Sequence, residues 1–346
     1  MTILHRRSWL TLSCGAGLAM AMGLAAPLRA DDVADFYKGK TVALLIGVGV
    51  GGEYDTNARL TGRHIGRNIP GNPTVVPQNL IGASGLKMAN HLYLQAPKDG
   101  THLGALSNNL PQRQVTGEPG VQFDASRFHW IGTISATVLT LVTWHTTGIK
   151  TIADAKSREV IIGTSSRGSI HYILCAVLEE FTGARFKMVT GYKSGNDMNL
   201  AVERGEIDGR VNTWSSVKVT KPTWISENKI NVIVQTGSKA RDLPHIPSLE
   251  EFARNDEERK LVQLLGTAEK LGRPLVTTPG APPARVAALR AAFDRTMTDP
   301  TFLAEAKKSN VEVEPVSGAE LQQVVATVMK TPPAVIARAK SFLVVE

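Results

Sequence analysis

Cysteine is nearly absent. The 346-residue chain has two, Cys14 and Cys175, and Cys14 lies in an N-terminal stretch with the grammar of a removable leader. One thiol is then left, and no intrachain disulfide can form. Aromatic residues make up 5% of the chain, too few for a base-stacking platform, so nucleic acid is not an expected partner. Beyond residue 30 no apolar run is long enough to cross a bilayer. The histidines of that region, His64, His91, His102, His129, His145, His171 and His245, show no His-Glu-x-x-His or similar spacing, so no metal site is expected. Gly163-Thr164-Ser165-Ser166-Arg167 fails the Gly-x-Ser-x-Gly elbow because Arg167 stands where glycine is required. No spacing singles out a pair of catalytic carboxylates. These gaps point away from an enzyme.

What is present begins with the leader. Arg6 and Arg7 precede a mostly apolar run from Trp9 to Ala26, and Ala25 to Ala30 offers small residues for cleavage, best after Ala30. This reads as a secretory signal peptide over residues 1–30. The absence of a basic stop-transfer flank favours removal over a membrane anchor. The Arg-Arg pair is compatible with twin-arginine export, and the route stays open. Arg6, Arg7 and Arg29 leave with the leader and no acid does, so the formal charge falls from +8 to +5. The processed chain is expected to be soluble and exported to the periplasm, and it is long enough for two domains.

Strand-like and helix-like segments alternate along it. Apolar runs at 41–46, 74–79 and 101–107 alternate with helical spacing over 55–68 and 86–95. The pattern resumes with strands at 159–165, 185–192, 209–214 and 230–237. Between them Ser169 is placed to cap a helix whose apolar face is Ile170, Ile173, Leu174, Val177, Leu178 and Phe181. Helices follow from Pro282-Pro283 and from the capping box Ser317-Gly318-Ala319-Glu320. The fold class expected is α/β: two lobes, each a mainly parallel sheet flanked by helices. Residues 31–137 and 238–346 are assigned to the first lobe and 138–237 to the second. The C-terminal helices are expected to return to the first lobe, with hinges near Ser135–Trp144 and Asn231–Gly237.

Gly47, Gly49 and Gly52 fit the Gly-x-Gly-x-x-Gly pattern between a strand and a helix. A dinucleotide site also needs an acid at the end of the second strand for the ribose hydroxyls. No Asp or Glu occurs between Asp55 and Asp99, so a nucleotide cofactor is not expected. What remains is an anion cradle, in which main-chain N–H groups converge where no Cβ intrudes and a helix N-terminus adds its dipole. Arg59, Arg63, Arg67, Lys87 and Lys98 lie in this acid-free stretch. They either steer anions inward or form an ordinary solvated helix face.

Gly51-Gly52, Asp55, Ala58-Arg59, Pro70 to Pro73, Gln78-Asn79, Gly82 to Gly85 and Ala96 to Thr101 follow one another in a specific order. With Gly191 to Gly209 and the Pro-Gly-Ala-Pro-Pro segment at 279–283, they resemble the solute-binding proteins of tripartite tricarboxylate transporters, the Bug-type family. The resemblance covers essentially the whole processed chain. It implies a two-lobed periplasmic binding protein of the Venus flytrap kind that closes on a small carboxylate. The implied partners are integral-membrane transporter subunits, with no cofactor and a monomeric chain. A sensor that presents the solute to a receptor is the alternative, and an exported Rossmann-type enzyme is a rival from another class.

Carried over residue by residue, the resemblance places ligand-binding positions in three loops of the first lobe. These are Gly51, Gly52, Glu53, Tyr54 and Asp55, then Gly82, Ala83, Ser84 and Gly85, then Ser107 and Asn108. The second lobe supplies Thr164, Ser165, Ser166, Arg167, Gly168 and Ser169, with Tyr192 as a wall and Trp214 as a cover or a core residue. Two departures from the family pattern stand out, Val50 in place of proline and Glu53 in place of a small residue. A carboxylate at Glu53 would repel an anion or greet an amine. Arg167 either pairs a ligand carboxylate or is an exposed loop arginine.

Overall fold

The computed structural model describes residues 30–50, 53–164, 167, 169–192, 195–237, 239–309 and 311–343. The leader, Gly51, Gly52, Ser165, Ser166 and Gly168 lie outside the described residues. The first described helix, Ala30–Tyr37, plants Val33 and Tyr37 in the core.

The strands run in chain order as β1 (Thr41–Ile46), β2 (Thr74–Asn79), β3 (His102–Ala105), β4 (His129–Thr133), β5 (Leu139–Trp144), β6 (Val160–Gly163), β7 (Phe186–Val189), β8 (Gly209–Thr213), β9 (Ile230–Thr236), β10 (Pro274–Thr277) and β11 (Val316–Ser317). They form two sheets. The first has the order β11-β4-β10-β3-β1-β2 and the second β7-β6-β8-β5-β9. Valine, isoleucine and leucine fill these strands because both faces are covered. Val42, Leu44 and Ile46 are buried in one cluster while Leu45 enters another, and each such side chain contributes about 1.5–3 kcal/mol.

Both sheets are mixed rather than mainly parallel. β1 pairs in parallel with β2 and β3, and β6 with β7 and β8, but β10, β4, β11, β5 and β9 enter antiparallel. The antiparallel strands are the ones that carry the chain between the sheets or back again, and such strands need no helical crossover. The strand assignments at 41–46, 74–79 and 230–236 agree with the sequence periodicity.

The Ile170–Thr182 helix forms for the reasons the sequence suggests. The Ser169 hydroxyl accepts from the Tyr172 N–H at its start, and Gly183, at φ 72°, closes it. Its buried stripe is Ile173, Leu174, Val177, Leu178 and Phe181. The C-terminal helices differ from expectation. Those at Pro283–Thr298 and Pro300–Lys308 pack in the first-sheet core through Leu289, Phe293 and Phe302. Leu261 and Val262 of the Asp256–Leu265 helix, with Val335 and Ala339 of the Pro333–Leu343 helix, join the second-sheet core instead. An amphipathic stripe shows that a face is buried, not against what, so periodicity could not assign them.

The first crossing between the sheets is short. β5 pairs with β9 from Leu139 to Trp144 with a register shift between Leu141 and Val142, so the first link shrinks to residues 134–138, while the return path leaves β9 at Gly237, adds the Asp256–Leu265 helix to the second-sheet core and reaches β10 at Pro274. Gly237 has φ 77°, and a Cβ there would stand 2.8 Å from the Thr137 carbonyl oxygen and 3.1 Å from Glu269 Cβ. The two links therefore pass beside each other.

Candidate functional site

Register brings three loops of the first sheet to one edge. Ile46 pairs with Asn79 on one side and Ala105 on the other, so β1, β2 and β3 end level. The turns that follow touch: a Cβ on Gly47 would lie 3.2 Å from Gly85 Cα, and one on Gly85 3.4 Å from Ser107 Cβ. The second sheet repeats the arrangement. Gly163, the end of β6, pairs with Val189, the end of β7, and the Tyr192 N–H donates to the Thr164 carbonyl at 3.4 Å.

The connections between the sheets run from one of these edges to the other. β4 runs antiparallel to β10 and ends at Thr133 opposite Pro274, on the loop-bearing edge. β5 starts at Leu139 opposite Thr213, the C-terminal end of β8, which is the loop-bearing edge of the second sheet. β9 ends at Thr236 opposite Leu139. Both connections thus join the same two edges, and open α/β sheets place ligands outside the carboxyl ends of their parallel strands.

Glu53 begins the Glu53–Ile65 helix at this edge. Tyr54 ties loops together: its hydroxyl lies 3.3 Å from the Asn108 N–H and 3.4 Å from the Gly272 carbonyl. The Asn108 side chain donates to the Ala268 carbonyl at 2.8 Å. Gly82 (φ 154°), Ala83 (φ 46°) and Gly85 (φ 93°) form the second turn, with Ser84 between them. Ala83 is in the left-handed region that a side chain resists. Ser107 is half-buried and donates to Asn109.

Asp55 does not face the cleft as a ligand group. It is buried against Arg59, which holds both of its oxygens at 2.9 Å, and Asn79 donates to it at 2.9 Å. Asn79 also donates to the Val48 carbonyl at 2.8 Å, so the cluster shapes the glycine loop from behind. Arg59 is therefore not a solvated face. Arg63 pairs with Glu305 at 2.5 Å and Arg67 with Asp299 at 2.7 Å. Acids from the Pro300–Lys308 helix and its cap offset the charges of the acid-free stretch, which removes most of the basis for a steering field.

In the second lobe Thr164 is fully buried and its Oγ1 has no partner among the described residues. Arg167 is exposed in a turn, and Ser169 spends its hydroxyl on the helix cap. Tyr192 lies half-buried over Gly163, and burial raises its phenol pKa. Trp214 is not a cleft cover. It is buried with Val217, Ala240 and Leu243, and its indole N–H donates to Asp242 at 2.8 Å.

Two groups leave no site signal in the sequence, and a third, His171, stands there only as one of seven histidines without metal-ligand spacing. Arg210 of β8 is buried, and so is Glu269 beside the links, where burial pushes its carboxyl up to about 7. His171 is held neutral, down to about 4, by burial and by the Arg210 charge. Arg210 interrupts an otherwise strand-like run, the only signal it left. Glu269 borders a small cavity of about 20 Å³, together with Leu139, Ile173, Leu174, Thr236 and Leu265.

No family model and no curated protein matches the sequence. Solved structures do match in fold. A TctC solute binding protein from Polaromonas is 18% identical with a TM-score of 0.67, covering 89% of this chain and 99% of that one. A protein described as a periplasmic transporter is 17% identical with a TM-score of 0.53, covering 88% and 97%. MatC from Rhodopseudomonas palustris, with bound malate, is 17% identical with a TM-score of 0.50, covering 88% and 99%. The two mixed sheets and these likenesses agree: the chain has the two-lobed α/β fold seen in the TctC solute binding protein.

Proposed function

We propose that the chain is an exported solute-binding protein that captures a small carboxylate-bearing metabolite between its lobes. It hands that solute to a tripartite tricarboxylate-type membrane transporter and makes or breaks no bond. The observation that carries this reading is the convergence of loops from both sheets on the space spanned by the two links. Glycine-rich turns and helix N-termini at those edges offer N–H groups to an anion. Ligand contacts to both lobes would favour a closed state and shift the population toward it. The malate held by MatC supports a carboxylate as the solute class. Among the described loop positions, Gly82, Ala83, Gly85 and Ser107 are assigned to the solute in the first lobe, and Thr164, Arg167 and Ser169 in the second. Tyr54, Asp55 and Asn108 hold the loops.

The nucleotide-enzyme reading loses its last support at Asn79. This residue occupies the strand end where a ribose-binding acid would stand, and its amide is committed to Asp55 and Val48. Thermal-shift measurement of the chain from residue 31 onward tests the proposal against mono-, di- and tricarboxylates and against NAD. A carboxylate that binds only the folded form raises the melting temperature. A shift with NAD and none with any carboxylate would overturn the reading.

A further inference from the structure

Among the described residues, Arg210 is a buried cation with no anion beside it. It is 2% exposed. Its Nε donates to the Val211 carbonyl at 3.3 Å and its Nη1 to Asn199 Oδ1 at 2.8 Å, and Nη1 also contacts the Gly195 carbonyl. All three acceptors are neutral. Among the described residues no carboxylate forms an ion pair with it, and burial pulls its pKa down to about 10. A guanidinium withdrawn from water without a counter-charge is strongly disfavoured.

The surroundings add positive potential. Gly195 opens the Gly195–Glu203 helix, and a Cβ there would stand 3.2 Å from Arg210 Nη1 and 3.3 Å from Nη2. The charge thus sits at the positive end of a helix dipole. Gly195 itself is exposed. The Ile170–Thr182 helix also starts close by, since His171 in its first turn feels the Arg210 charge.

Two buried polar atoms at this edge lack partners, Thr164 Oγ1 and His171 Nδ1. Thr164 follows Gly163, which is paired with Arg210 across β6 and β8. Buried polar atoms without partners mark places where a group is missing.

We propose that Arg210, Thr164 and His171 form an anion subsite in the second lobe, which receives one carboxylate of a dicarboxylate solute. This rests on the reading of the cleft as a solute site. The guanidinium supplies the charge, and the Thr164 hydroxyl and a neutral His171 supply hydrogen bonds. The glycine turns of the first lobe then take the other carboxylate, so the chain selects diacids over monoacids.

Calorimetric titration with a series of dicarboxylates, and with the monoamide of each, tests this on the wild type, Arg210→Gln, Arg210→Lys and Thr164→Val. The expected wild type prefers a diacid to its monoamide. Arg210→Gln lowers diacid affinity about tenfold or more and leaves the monoamide within about threefold, and Arg210→Lys recovers part of the preference. Thr164→Val, of nearly equal volume, lowers diacid affinity by about threefold or more. It keeps the test open if Arg210→Gln does not fold. Equal wild-type binding of diacid and monoamide would overturn the subsite, as would unchanged diacid affinity in the variants, while solute binding would stand. A wild type that binds no carboxylate would remove the solute reading and the subsite with it.

Discussion

Arg59 reaches back one helical turn to Asp55 and places its Nε 2.9 Å from both carboxylate oxygens, while its Nη2 lies 2.6 Å from Asn79 Oδ1. The side chain of Asp55 is 3% exposed and that of Arg59 31%. This pair links the start of the Glu53–Ile65 helix to the end of β2 and, through Asn79, to the backbone of the glycine loop. Removing Arg59 takes from the buried carboxylate the guanidinium that binds both of its oxygens. Arg59→Met is expected to lower stability by about 3 kcal/mol, read from the midpoint of urea denaturation. Adding Asp55→Asn to it should restore part of that loss, because the unpaired charge goes too. Equal stability of the single variant and the wild type would contradict the role.

Glu269 sets a pH dependence. Its carboxyl is buried, its Oε2 has no partner among the described residues, and burial pushes its pKa from 4.5 up to about 7. The neighbouring Lys270 pulls the other way but is paired with Glu250 at 2.7 Å. The folded state therefore holds this proton more tightly than the unfolded state. The stabilisation is fully present below about pH 4.5 and is lost as pH rises to about 7, about 3 kcal/mol over the window. Glu269→Gln should flatten this component when stability is measured from pH 4.5 to 8. A variant with the same pH profile as the wild type would rule the group out.

Gly272 is a steric requirement of the link. It has φ 60° and ψ −113°, and a Cβ would collide with the Ser135 carbonyl oxygen. Gly272→Ala is expected to cost about 3 kcal/mol from strain alone. Gly39, also at positive φ but with open space around it, is the control, where Gly39→Ala should cost about 1 kcal/mol. Equal losses at the two positions would contradict the steric argument.

Cys175 is buried in the second-sheet core, and burial raises its thiol pKa well above the ordinary range. The chain from residue 31 onward should not react with a thiol reagent in its native state and should titrate one thiol in denaturant. Labelling of the native chain at the rate of a free thiol would show that this core opens.

Much of the fold was legible because its signals are local. The Ser169 cap, the stripe from Ile173 to Phe181 and the apolar strands depend on neighbours within a few residues. The misreadings involve distant partners. Arg63 and Arg67 resemble a free basic face until the fold brings Glu305 and Asp299 beside them. Trp214 follows a strand, as a cleft residue would, yet Asp242 captures its indole. At the site, glycine order marked the loops, whereas Arg210 is a single charge in a short strand and only the sheet register gives it meaning.

The central claim is that one solute is held by both loop-bearing edges at once. Its most direct test is calorimetric titration, with the carboxylate that raises the melting temperature, of the wild type and one variant on each edge, Ser107→Val and Thr164→Val. The expected result is one solute per chain, with weaker binding in both variants and their melting temperatures without ligand preserved. Undiminished affinity in either variant would show that its edge takes no part, and would contradict capture between the lobes.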